Sequence, residues 1–139
     1  MAQPVLLVED EYEVREGLRE VLRSQGFDVA CAQDGVEALR LLWRGFRPGI
    51  ILLDVMLPHI DGYTFREYQR ANKAWADIPV IVVSALSDVP DRIDRLQPWA
   101  WFKKPIDVDA LTATLRPLRM RRPPSIWRGS ASWRPPSRG

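Results

Sequence analysis

A chain of 139 residues, 46% of them hydrophobic, is long enough to close one real core and too short for two comfortable ones. Its formal charge of +2 is uneven: residues 119–139 hold six arginines and no acid, which leaves 14 basic against 18 acidic residues before them, not the balance of a nucleic-acid-binding body. No stretch approaches the ~18 uninterrupted apolar residues of a membrane span, the opening MAQPVLLVEDE carries acids where a secretory signal carries cations, and a single cysteine excludes an internal disulfide, so a cytoplasmic protein is expected.

The first apolar run, PVLLV (4–8), has the length of a strand and ends at Glu9 and Asp10. A helix follows, with Val14, Leu18, Val21 and Leu22 on one face and Gly26 as its stop. FDVACA (27–32) reads as a second strand, with Cys31 as a small buried residue that carries no chemistry. Val36, Leu39, Leu42 and Trp43 form the apolar face of a second helix ahead of Gly45. The third strand, GIILL (49–53), runs straight into Asp54 and then a loop containing PHIDG. A helix over Tyr63 to Ala71 leads to PVIVV (79–83), which ends at Ser84. A shorter helix is expected over Asp88 to Leu96, then the strand WAWF (99–102), then Lys103, Lys104 and Pro105. The last helix spans Val108 to Leu118 with Asp107 as its N-cap. Beyond it, RMRRPPSIWRGSASWRPPSRG has four prolines and no apolar period, which predicts a flexible tail over 119–139 after a domain of residues 1–118.

Strand and helix alternate five times, which predicts an α/β fold: a doubly wound parallel sheet joined by right-handed crossovers, with helices on both faces. In such sheets the ligand site lies beyond the carboxyl ends of the strands. The residues there are Glu9, Asp10, Asp54, Ser84 and Lys104, so three carboxylates, a hydroxyl and an ammonium would share one crevice. Carboxylates crowded together repel unless a cation sits among them, and a site made of hard oxygens suits Mg²⁺, which prefers to be completed by a phosphate oxygen. Asp54, at the centre of this set, is the expected nucleophile toward a phosphoryl group.

Four segments carry a resemblance to the response-regulator receiver domain of two-component signalling, over roughly residues 3 to 118. They are LLVEDE, LLDVMLPHIDG, VVSA and FKKPI, in the family's order and each at a strand end. The resemblance implies a flavodoxin-like receiver fold with strand order 2-1-3-4-5. It also implies that Asp54 is phosphorylated, that Asp10 ligates Mg²⁺ directly and Glu9 through water, and that the backbone carbonyl of Met56 is a further ligand. Ser84 and Lys104 would contact the phosphoryl group, and the Lys104–Pro105 bond would be cis. Trp101 stands where the family carries its switching aromatic, although a plain core role is the alternative. The implied partners are a sensor histidine kinase or phosphotransfer protein and a downstream protein. The 20 positions from Ser84 to Lys104 include Pro90 and Pro98, so the fourth helix should be short or distorted, and residues 88–118 are the expected surface for a partner or a second copy.

Other readings account for less. His59 lies in the PHIDG turn and reads as a loop residue rather than a phosphohistidine. A haloacid-dehalogenase-type phosphatase needs a second aspartate two residues after the nucleophile, where Met56 stands. A flavin-binding flavodoxin needs a phosphate loop after the first strand, where EDEYE would repel phosphate. Two variants of the receiver reading remain: a scaffold that acts without phosphorylation, and the N-terminal part of a regulator with a further output domain. The protein would be no enzyme beyond its own phosphorylation and slow dephosphorylation, since Met56 and Leu86 are poorly suited to orient an attacking water. The arginine-rich tail would touch acidic partners or nucleic acid weakly.

Overall fold

The computed structural model describes residues 4–85 and 90–118. Strands and helices alternate as β1 (Pro4–Val8), α1 (Tyr12–Ser24), β2 (Asp28–Ala32), α2 (Gly35–Trp43), β3 (Ile50–Asp54), α3 (Gly62–Ala71), β4 (Val80–Ser84), α4 (Pro90–Arg95), β5 (Ala100–Lys103) and α5 (Val108–Leu115). A 3₁₀ turn over Arg116–Leu118 closes the series. The strands form one parallel sheet in the order β2-β1-β3-β4-β5, as the resemblance implied.

Alternation along each strand feeds two cores. Val5, Leu7, Ile50, Leu52, Ile81, Val83, Ala100 and Phe102 pack with Leu18 and Leu22 of α1 and Leu111 and Leu115 of α5. Leu6, Val8, Ile51, Leu53, Val80 and Val82 pack with Leu42 of α2, Phe65 of α3 and Ile93 of α4. Burial on both faces is why the central strands β3 and β4 are apolar without interruption, whereas edge strand β2 is mostly half-buried and holds Cys31 there.

Several boundaries move from expectation. β3 and β4 run one residue past their apolar runs and end on Asp54 and Ser84, because ladder hydrogen bonds need only backbone and ignore side-chain polarity. α4 is described over Pro90–Arg95 and ends one residue before the expected Leu96. Residues 86–89, the first two positions of that expected helix among them, and the tail over 119–139 lie outside the described residues. α5 stops at Leu115 and tightens to the 3₁₀ turn through Leu118. Trp43 is not on the buried face of α2: it is 73% exposed and meets the buried Trp75 edge to face at 5.4 Å, while Ala38 and Leu42 supply the contact with the sheet.

Two close approaches set the loop after β3. The N–H of Gly62 donates to the carbonyl of Val55 at 2.9 Å, and a Cβ at position 62 would lie 2.7 Å from the Val55 Cα and 2.9 Å from the Asp54 carbonyl oxygen. A Cβ at Gly35 would lie 2.8 Å from the Ile60 carbonyl oxygen. Glycine at these two places lets the PHIDG loop fold back on the end of β3, with Asp61 capping α3 through the Thr64 N–H at 2.8 Å. His59 occupies the left-handed turn position in this loop, with φ of 68°.

α3 also buries two polar side chains that the sequence pattern did not mark as interior. The Arg66 guanidinium donates to the carbonyls of Leu96 at 2.8 Å and Gln97 at 3.1 Å and to the Gln69 side chain at 2.7 Å. Gln69 in turn donates to the carbonyls of Trp75 and Ile78. This network ties α3 to the carbonyl end of α4, where Arg70 also reaches the Arg95 carbonyl at 3.3 Å.

Candidate functional site

The ladders continue past the strands and so fix the backbones of the polar residues that follow. The Glu9 N–H donates to the Ala32 carbonyl at 3.0 Å, Asp54 pairs with Val83, and the Lys104 N–H donates to the Ser84 carbonyl at 2.8 Å. On β3, alternation sends Asp54 to the side of Ile50 and Leu52, the face covered by α1 and α5. Ser84 falls on the opposite side with Val80 and Val82 and is fully buried. The Lys104–Pro105 bond is cis.

Glu9, Asp10 and Asp54 each bring a carboxylate oxygen within 4.8 Å of the others. Glu9 and Asp54 are 1% and 3% exposed, whereas Asp10 opens to solvent. Lys104 Nζ lies among them, 2.8 Å from Glu9 and 3.1 Å from Asp54, with Glu11 at 3.5 Å. The other oxygen of Asp54 accepts the Met56 N–H at 3.0 Å, which fixes the plane of the carboxylate. Met56 therefore touches the site through its backbone, and its side chain points to solvent.

The electrostatics follow from burial and crowding. Burial, together with the nearby charge of Asp54, lifts the Glu9 pKa to about 7 against the opposing hydrogen bond from Lys104. Burial also works against the charge on Lys104, but the hydrogen bond to Glu9 and the charges of Asp54 and Glu9 outweigh it and hold the lysine pKa above its ordinary value. The carboxylates of Glu9, Asp10, Glu11 and Asp54 outnumber the one ammonium, so the ionised site carries a net negative charge that a divalent cation would offset. The donors are all hard oxygens, so the residues present fit Mg²⁺.

The family model described as the response regulator receiver domain matches residues 5–116. The chain belongs to this family. Among curated relatives, the receiver is similar to the response regulator MprA of Mycobacterium sp. (strain KMS), 38% identical over 122 residues that cover 86% of this chain and 52% of the relative. It is 36% identical to the probable transcriptional regulator ycf27 of Porphyridium aerugineum, covering 86% of this chain and 49% of that one. The chain thus spans about half the length of the curated relatives it matches. Among solved structures, it is similar to the receiver domain of the sensor histidine kinase PA1611 from Pseudomonas aeruginosa, determined with a magnesium ion coordinated in the active-site cleft: 31% identity, TM-score 0.75, covering 85% of this chain and 98% of that one. The chemotaxis response regulator CheY4 of Vibrio cholerae gives 25% identity and a TM-score of 0.76, covering 85% and 99%.

In this receiver the five strand-end residues singled out in the sequence divide into two groups. Glu9, Asp10, Asp54 and Lys104 meet in one cluster, while Ser84 adjoins it through the backbone of Lys104. Trp101 lies on β5 in register with Val82, half-buried against the core that also holds Ile93 of α4. Two further residues at the cluster escaped the sequence reading. Glu11 adds a third carboxylate beside Lys104, and Arg15 donates to the carbonyls of Glu9 at 2.9 Å and Asp10 at 3.2 Å. The EDE run and the spacing of Arg15 four residues after Glu11, one helical turn, were the available signals.

Proposed function

We propose that this receiver is a phosphorylation switch in which Asp54 takes a phosphoryl group from the phosphohistidine of a sensor histidine kinase or phosphotransfer protein. The observation that carries the reading is the position of Lys104 Nζ, within 3.1 Å of both Glu9 and Asp54 at the edge of a three-carboxylate cluster. An Asp54 oxygen attacks phosphorus, the bond from phosphorus to the donor imidazole breaks, and the imidazole nitrogen keeps the electron pair. Lys104 is close enough to shift from Asp54 onto a phosphoryl oxygen, and the Ser84 hydroxyl donates to another. Glu9, Asp10, Asp54 and the Met56 carbonyl would hold Mg²⁺, which when bound offsets the negative charge gathered at the transferring group.

Once Asp54 carries phosphate, its added charge draws Ser84 inward and Trp101 repacks beside α4, changing the surface formed by residues 88–118. A downstream protein, or a second copy of the chain, reads that surface, and the same role would serve within a regulator as long as the relatives it matches. Met56 and Leu86, two positions after Asp54 and Ser84 in the sequence, are apolar and poorly suited to orient an attacking water, so slow loss of the phosphoryl group is expected. The expected setting is cytoplasmic, where such kinases present their phosphohistidine. Incubation with a small phosphodonor tests the assignment: one phosphoryl group per chain is expected with Mg²⁺ present, and none in Asp54→Asn. Stoichiometric labelling of Asp54→Asn would defeat it.

A further inference from the structure

Arg15 lies in the first turns of α1, and its NH1 donates to two consecutive carbonyls, Glu9 at 2.9 Å and Asp10 at 3.2 Å. These carbonyls belong to the connection between β1 and α1, where neither ladder nor helix supplies a donor in the way that the Arg15 N–H serves the Glu11 carbonyl. The guanidinium also lies 5.5 Å from the centre of the Tyr12 ring. Pinning two successive carbonyls restricts the backbone rotations between them, and those rotations set the directions in which the Glu9 and Asp10 side chains leave the chain. The Glu11 N–H secures the same connection from the other side by donating to the Glu9 carboxylate at 3.1 Å.

We infer that Arg15 is a positioning residue for the cation site: it holds the β1–α1 connection so that the Glu9 and Asp10 carboxylates converge on Asp54. The inference rests on the metal-binding part of the proposed function. It has a sign that separates it from simple electrostatics. A positive charge beside the carboxylates opposes a divalent cation, so if Arg15 acted through charge alone its removal would tighten Mg²⁺ binding. If it acts by positioning, its removal weakens binding even though a repelling charge is gone.

Calorimetric titration of the folded protein with Mg²⁺, checked by thermal melting, distinguishes the two. Arg15→Met is expected to raise the dissociation constant about tenfold, in the range typical of residues that orient metal ligands. Arg15→Lys, which keeps a cationic donor of similar reach, should recover most of the affinity. Arg15→Gln, which keeps an N–H and loses the charge, should fall between Met and the unsubstituted chain, and it serves as the second variant should Arg15→Met not fold. Arg19→Met removes an equal charge on the same helix, from a residue paired with Glu16 at 3.1 Å, and should leave affinity unchanged. Unchanged or tighter binding by folded Arg15→Met and Arg15→Gln overturns the inference alone. Absence of Mg²⁺ binding in the unsubstituted protein overturns the metal-binding reading with it.

Discussion

Lys104 and Arg66 are both cations drawn away from solvent, and their surroundings differ in kind. Lys104 is held by carboxylates at 2.8, 3.1 and 3.5 Å, and the set carries more negative than positive charge. Arg66 is 7% exposed, and the acceptors of its hydrogen bonds are neutral: two carbonyls at the end of α4 and the amide oxygen of Gln69. Burial, with the charge of Arg70 added, lowers the Arg66 pKa to about 10, whereas the acids around Lys104 raise its own. The arginine network keeps its positive charge on neutral acceptors, with no carboxylate among its hydrogen-bond partners to hold a cation. The lysine cluster is full of charge that an incoming ion or phosphate can rearrange. Burial of a charge marks a reactive place only when its partners are themselves charged and out of balance.

Stability measurements test this difference between the two cations. The largest effect is expected from Arg66→Met, which strands the Leu96 and Gln97 carbonyls and should lose about 3 kcal/mol in urea unfolding. The loss should be the same with and without Mg²⁺, and a loss that Mg²⁺ restores would join the two regions. Next comes the cation itself, which should stabilise the folded protein by about 1.4 kcal/mol at ten times its dissociation constant. The Glu9 pKa lies above its ordinary 4.5, at about 7, so the metal-free fold holds that proton more tightly than the unfolded chain does. Its contribution to stability is present at low pH and is lost as pH rises from 4.5 to about 7, and the same proton competes with Mg²⁺. Stabilisation by Mg²⁺ should therefore shrink as pH falls below about 7 and level off above it, which thermal melts across pH would read. The smallest effect, of opposite sign to the first, is expected from Asp54→Asn, which relieves repulsion and should raise metal-free stability by about 1 kcal/mol at neutral pH. Destabilisation there would mean that the carboxylate supports the fold rather than opposing it.

Much of the architecture could be read from the chain because the central strands are covered on both faces and must be apolar throughout, as in IILL and VIVV. Asp54 and Ser84 stood out for the same reason, as polar residues directly after such runs. The order of the strands came from the likeness of four motifs, since alternation of strand and helix is compatible with several orders. Arg66 and Gln69 could not be recognised as interior, because a pattern of apolar and polar residues assigns long polar side chains to solvent and cannot foresee carbonyls left open by another helix. Trp43 failed in the opposite direction: it was assigned to the apolar face of α2 by spacing, but Ala38 and Leu42 fill the space against the sheet and leave the large ring outside. Arg15 was invisible because its partners are backbone oxygens, which have no letter in a sequence.

Asp54 and Lys104 are separated by 50 positions, yet their side chains touch at 3.1 Å. The acidic members come from β1 and β3, which are neighbours in the sheet, whereas the ammonium arrives with β5 only after β4 has been laid between them. Without its final strand in place the chain would keep the crowded carboxylates but lack the ammonium that sits against them.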